Sequence, residues 1–323
     1  MEGVIVKEQS INSNKKLGLG ARIGDELRRN FVLYLMAIPV FAYFVLFCYL
    51  PMFGIVIAFQ DFNLAKGVFG SPWAGMYGFE NFYRFFTGKL FWPVIKNTLL
   101  ISFYEMIFSF PAPIIFALML NEIKNLKYKK IVQTVTYLPH FISMVVICSM
   151  IIRFLDEDGI ITSFISLFTG TRKNYMIEPG AFRTIFIGSG IWQGVGWSSL
   201  IYISALSSID QELYEAAVID GAGKWKQVVH ITIPGIASTI IILFIMRMGQ
   251  VLSVGYEKII LLQNSYTKSV SRVISSYVYE RGLGEGNDVS FSSAVGILQS
   301  LVNIIFLTVT NTISKKVTDS GLF

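Results

Sequence analysis

Long apolar stretches alternate with polar ones along the chain, and each apolar stretch is long enough to cross a bilayer as a helix. The first, Phe31–Phe59, carries no charge, and its length exceeds the ~20 residues that span the hydrocarbon. Pro39 and Pro51 are expected to kink it. Sparsely charged stretches follow at about 95–120, 131–155, 182–206, 236–254 and 291–313. The pattern predicts an all-α membrane protein: a polar tail over 1–30, then one transmembrane domain over 31–323 with six spanning helices. The segment 60–94 is rich in aromatic residues and glycine, and an interfacial aromatic belt is expected there.

Between the fourth and fifth stretches, over 207–235, lies a polar segment with its own pattern. Its heart is Glu215–Pro234, EAAVIDGAGKWKQVVHITIP. Ser208 and Gln211 fit a capping box, and Asp210 is a second candidate cap. Leu213, Ala216, Ala217 and Asp220 recur at helical spacing and give a narrow face of mostly small side chains, one that another protein could approach closely. Gly221 suits the left-handed residue just past a helix. Pro234 and Gly235 mark the turn into the next span. The segment therefore reads as two short helices around a glycine corner.

This spacing, Glu215-Ala216-Ala217, then Gly221, then Ile231 with Ile233-Pro234, resembles the EAA loop of permease subunits of bacterial ABC importers. Ile233 stands where that family usually has leucine, a volume-conserving exchange. The resemblance extends over roughly 30–323. Within it, Ile274–Tyr279 and Ser292–Gly296 look like permeases that import oligosaccharides. It implies the type I ABC importer permease fold and a coupling helix seated in a cytoplasmic ATPase. Glu215, Ala216, Ala217, Asp220, Gly221, Ile231 and Pro234 would then serve coupling. It also implies partners: a second homologous permease, two cytoplasmic ATP-binding subunits that hold ATP and Mg, and an extracytoplasmic solute-binding protein. The cargo would be a saccharide.

Composition agrees with a lipid solvent. Of 323 residues, 53% are hydrophobic and 15% charged, where soluble domains run near ~25% charged. The net charge of +6 reads as retention of loops in the cytoplasm rather than nucleic-acid binding. Lys and Arg number six in the tail, four after the second stretch, two in the 207–235 segment and two at the C-terminus. Nine more, Lys258 among them, are spread over the three longer intervening loops. The positive-inside rule therefore places both termini and the 207–235 segment in the cytoplasm, and the tail reads as cytoplasmic rather than as a removed signal. Cys48 and Cys148 lie in apolar runs and read as packed thiols. His140 and His230 are too far apart in sequence to suggest a metal site. No Walker A pattern occurs, so no enzymatic activity is expected and the energy must come from a partner.

Polar residues at bilayer depth mark pathways or packed pairs. Gly188, Gly190, Gly194 and Gly196 are expected to serve close helix packing. Gln193, Trp197 and Tyr202 suit a sugar site, since an indole stacks on a sugar ring and an amide bonds its hydroxyls. Arg247 and Gln250 stand one turn apart, with Ser143 and Asn303 as weaker candidates. Arg247 reads in two ways: as a structural partner of Glu105, or as a pathway cation favouring an acidic saccharide. A stand-alone secondary sugar carrier driven by an ion gradient is the alternative function, but no inverted repeat is evident and it would leave the 207–235 segment without a purpose. A membrane enzyme has less support, because no set of catalytic residues converges.

Overall fold

The computed structural model describes residues 28–284, 286–318 and 321–322. Every regular element among them is helical, apart from one isolated bridge between Gln60 and Trp73. The expected tail over 1–30 lies outside the described residues save for its last three. The chain divides into two compact units, Met1–Ile55 and Val56–Phe323. In the first, α1 (Phe31–Tyr43) runs through Pro39 into a widened π-type stretch, Phe44–Tyr49. Its apolar side chains are exposed, as lipid-facing groups are.

In the second unit, short helical turns including Gly67–Gly70 precede α2 (Glu80–Phe86). The aromatic belt expected over 60–94 holds only in part. Trp73 and Tyr77 are exposed, but Phe85 is buried against Phe91, Tyr277 and Phe291. Phe59, Phe79 and Phe82 pack on one another, with ring centroids 5.1 to 5.7 Å apart.

Next, α3 (Phe91–Tyr104) and α4 (Pro111–Asn121) join through a widened turn, Glu105–Ser109. Pro111 lacks an N–H, and the Phe110 N–H reaches back five residues to the Glu105 carbonyl at 2.9 Å. Together they form a 31-residue apolar helical stretch.

The third expected span, 131–155, is not one straight helix. α5 (Leu126–Tyr137) passes into a tight turn, Leu138–Phe141, and the chain bends by 101° before α6 (Met144–Leu155). Pro139 stands in the tight turn, and Ser143 is extended (ψ 148°) with its hydroxyl accepting the Val146 N–H. α7 (Ile160–Thr169) then ends at left-handed Gly170.

α8 (Pro179–Ser207) is 29 residues long, about 44 Å at the α-helical rise. The elbow follows as α9 (Gln211–Ile219) and α10 (Lys224–Gln227). α11 (Ala237–Met248) stops six residues short of the expected Val254, because the chain turns at Gly249. α12 (Tyr256–Leu262) and α13 (Ile274–Gly282) lie before α14 (Val289–Thr318). Phe31–Phe59, Phe91–Asn121 and α14 are long and apolar enough to cross a membrane individually, and the bent pairs around α5–α6 and α10–α11 qualify as broken spans. α8 has the length, but its glycine, serine and glutamine dilute its apolar character.

Three buried clusters hold the second unit. One joins α3, α6, α8 and α12 through Ile101, Ile147, Phe186 and Ile259. A second gathers Phe85, Val94, Tyr277, Phe291 and Val295. The third, Ala117, Tyr202, Leu206, Ile209 and Ile236, lies beneath the elbow. The four glycines of α8 do not all serve close packing. A Cβ on Gly196 would fall 2.3 Å from the Thr136 carbonyl oxygen, so α5 crosses there only because the side chain is missing. Gly188 and Gly194 have open space at that position, and Gly190 faces Lys258.

Candidate functional site

The elbow is built almost wholly from contacts local in sequence. The Asp210 carboxylate accepts the Glu212 N–H at 3.0 Å and caps α9. Ser208 instead turns back to the Ala205 carbonyl, so the capping box over Ser208 and Gln211 does not form. Gly221 is left-handed, at φ +74°. Its N–H bonds the Val218 carbonyl, and the Ala222 N–H bonds that of Ala217, which is the Schellman closure. Gln227, buried, donates to the Ala222 carbonyl, and the Tyr214 hydroxyl meets that of Thr232 at 2.9 Å.

Tyr214 and Ile231 pack against the cluster formed by Ala117, Tyr202, Leu206, Ile209 and Ile236. Ile231 thus faces inward. Glu215, Ala216, Asp220, Gly221 and Pro234 are exposed, and Ala217 is half-buried. Beside them the tip carries three apolar side chains that sequence reasoning overlooked: Ile219 at 86% exposure, Trp225 at 79%, and Val218. The available signal was apolar residues in a polar segment at positions outside its helical stripe.

The second site is a cleft of ≈ 650 Å³ among α4, α8 and α11. Trp197, Tyr202, Arg247 and Gln250 all line it, together with Glu105 and Gly190. Glu105 opens the widened turn before α4, and its carboxylate accepts a hydrogen bond from the Arg247 guanidinium. The two side chains remain 19% and 30% exposed. Trp197 stacks on His140, with centroids 4.8 Å apart and planes 5° from parallel. His140 comes from the tight turn between α5 and α6, so the bend in that span braces the cleft wall.

Three expected pathway residues stand outside this lining. Gln193 is half-buried elsewhere on α8. Ser143 caps α6. Asn303 accepts the Leu252 N–H at 3.0 Å and donates to the Ser253 hydroxyl, which holds the turn after α11.

Lys258 belongs by sequence to a loop between the fifth and sixth apolar stretches, yet it is 7% exposed. Its ammonium donates to the Phe186 carbonyl at 2.8 Å and lies 4.8 Å from that residue's ring centre. Burial pulls its pKa down to about 8, opposed by the Cys148 thiol and the Glu105 carboxylate.

Helical architecture, an apolar cleft carrying a few charged and polar side chains, and a structured elbow between two helices are features expected of an integral-membrane transport component. Residues 98–319, which include both sites, match the family of binding-protein-dependent transport system inner membrane components, and the chain belongs to that family. It is 40% identical over 298 residues to Protein LplB of Bacillus subtilis (strain 168), covering 92% of each chain. It is 41% identical over 292 residues to the polygalacturonan/rhamnogalacturonan transport system permease protein YteP of the same organism, covering 90% of each. A crystal structure of a bacterial ABC transporter involved in the import of the acidic polysaccharide alginate contains a chain that matches with a TM-score of 0.84 at 37% identity. That match covers 92% of this chain and 99% of the other. A second structure of such a transporter, in complex with its alginate pentasaccharide-bound periplasmic protein, matches equally well at 36% identity.

Proposed function

We propose that this chain is one half of the membrane pathway of an ATP-driven importer of carboxylate-bearing oligosaccharides. The observation that carries the reading is the convergence of Trp197, Arg247 and Gln250 on one cleft, with Tyr202 shared between its lining and the cluster beneath the elbow. The indole offers a stacking surface to a sugar ring, the amide pairs with hydroxyls, and the Glu105–Arg247 pair adds charged groups to the wall. Relatives named for polygalacturonan, rhamnogalacturonan and alginate transport support an acidic cargo.

The second half is a homologous permease. An extracytoplasmic solute-binding protein delivers the sugar. Both termini and the elbow are cytoplasmic, and the apolar tip at Ile219 and Trp225 docks on an ATP-binding subunit that holds ATP and Mg. Glu215, Ala216, Ala217, Asp220 and Gly221 set the closeness and register of that contact, and Pro234 the exit into α11. When the ATPase pair closes, the elbow moves as a unit on its cluster. The cluster carries the displacement into α4 and α8, and the cleft exchanges access between the two sides. Reversing a 1:99 population to 99:1 takes about 5.5 kcal/mol of differential interaction, which the nucleotide cycle supplies.

The test is uptake in proteoliposomes containing the whole importer and its sugar-loaded binding protein. A Cβ on Gly221 would meet nothing within 4 Å, and although the left-handed φ of +74° strains any side chain, Asp is among the residues that tolerate it best, so the corner is expected to hold. Gly221→Asp is expected to insert and assemble normally, and to abolish uptake by placing a charge on the docking face. Normal uptake by Gly221→Asp would remove the coupling role.

A further inference from the structure

The Arg247 charge, which first suggests an anionic cargo, is already matched by Glu105. The pair is neutral as a unit, and a substrate carboxylate gains little from it without displacing Glu105. The buried charge beside the cleft that has no ion-pair partner belongs to Lys258. Among the described residues no carboxylate lies within ion-pair distance of its ammonium. Of its three N–H groups, one is taken by the Phe186 carbonyl, and the described residues provide no hydrogen-bond acceptor for the other two. A buried ammonium held only by a neutral carbonyl and a ring face is costly to keep.

Its position relates it to the pathway. Gly190 lines the cleft, and a Cβ on Gly190 would lie 3.2 Å from the Lys258 nitrogen. The wall between ammonium and cleft is there only the thickness of a backbone, since Gly190 contributes no side chain. Phe186 and Gly190 stand one turn apart on α8, so the carbonyl that holds the ammonium and the gap that uncovers it belong to the same turn.

We infer that Lys258 is the charge-reading residue of the pathway, and that it receives a carboxylate of the passing saccharide across the gap at Gly190 while Glu105 keeps Arg247 neutralised. This rests on the proposed carboxylate-bearing cargo and deepens it. The geometry also assigns Gly190 a role, as the residue whose missing side chain leaves the ammonium within reach. A rival role for Lys258 is purely mechanical: bracing α12 on α8.

The experiment compares uptake of an oligogalacturonate with that of its methyl ester by the reconstituted importer. Each rate is divided by that of the unmodified importer on the same sugar, so that selection by the binding protein cancels. Lys258→Met is expected to lower acidic uptake about tenfold, the worth of one charge-assisted contact, and to leave ester uptake within about twofold. Lys258→Arg is expected to retain most acidic uptake. Gly190→Ala keeps the lysine but fills the gap, and is expected to lower acidic uptake selectively by about threefold. Equal loss of both sugars in Lys258→Met and in Gly190→Ala would assign Lys258 to bracing and overturn the inference, as would unchanged acidic uptake in Lys258→Met. If Lys258→Met fails to assemble, Gly190→Ala decides by the same criterion. An unmodified importer that carries the ester but no acidic sugar would refute the cargo class itself, and this inference with it.

Discussion

The elbow and the cleft meet at Tyr202, yet they are held together by opposite means. In the elbow every hydrogen bond named above links residues at most 18 apart in sequence. In the cleft the Glu105–Arg247 pair spans 142 residues, and the Lys258–Phe186 bond beside it spans 72. The elbow is a local object whose shape is written into caps, a left-handed glycine and a terminal proline. The cleft exists only once α4, α8 and α11 have been packed against one another. A coupling device must move as a unit, and local bonding lets it do so. A pathway must open and close, and bonds between helices distant in sequence can be exchanged as those helices shift.

The largest effect expected from breaking this contrast lies on α8, which serves both regions. Gly196→Ala places a methyl 2.3 Å from the Thr136 carbonyl oxygen, a backbone atom that cannot turn aside. The helices must separate, at a cost of about 2–3 kcal/mol. The same change at Gly194, two residues earlier, meets nothing within 4 Å and is expected to be neutral or slightly stabilising through helix propensity. Thermal melts of the two variants in detergent check this. Equal melting temperatures would mean that the α5–α8 crossing is not close-packed.

A smaller effect tests the cleft's pair. Glu105→Gln leaves Arg247 without its countercharge and Arg247→Met strands Glu105, each expected to cost about 1–2 kcal/mol. That is less than for a fully buried pair, because both groups are partly exposed. The double variant is expected to regain most of the loss, which a double-mutant cycle reads as coupling. Additive losses would show that the two groups act independently.

How much of this could be read from residue order follows the same division. Gly221, Asp210 and Pro234 announced the elbow because their physical reasons are local: a left-handed corner, an unpaired N–H, a missing donor. The apolar runs announced helices where α3–α4 and α14 stand. They concealed the 101° bend before α6, because reading 131–155 as one span passes over the break at Gln133, Thr134, Thr136, Pro139 and His140. They also overstated α11, since Val251, Leu252 and Val254 past Gly249 are apolar yet lie in turns pinned by Asn303 and Gln299. The pairing of Glu105 with Arg247 was one of two open readings of the arginine, and only packing could choose. In sequence Lys258 belongs to a polar loop, while in space it is enclosed by α6 and α8. Ile219 and Trp225 are the converse, apolar residues left outside because nothing among the described residues covers them.

The smallest effect is the one that would most directly upset the contrast. Lys224 reaches from α10 to Glu122, just past the end of α4, at 3.2 Å, a bond across 102 residues and thus an exception to the elbow's local construction. Its side chains are 69% and 44% exposed, where water and salt weaken the attraction and two flexible side chains resist being fixed. Lys224→Ala is therefore expected to shift stability by less than about 0.5 kcal/mol, with the melting temperature insensitive to added salt. A loss above about 1 kcal/mol that salt reproduces in the unmodified protein would show the elbow to be fastened to α4 by charge as much as by its apolar seat. The displacement reaching α4 would then travel through that ion pair in addition to Ala117 and its neighbours, and the elbow would no longer be a locally built unit.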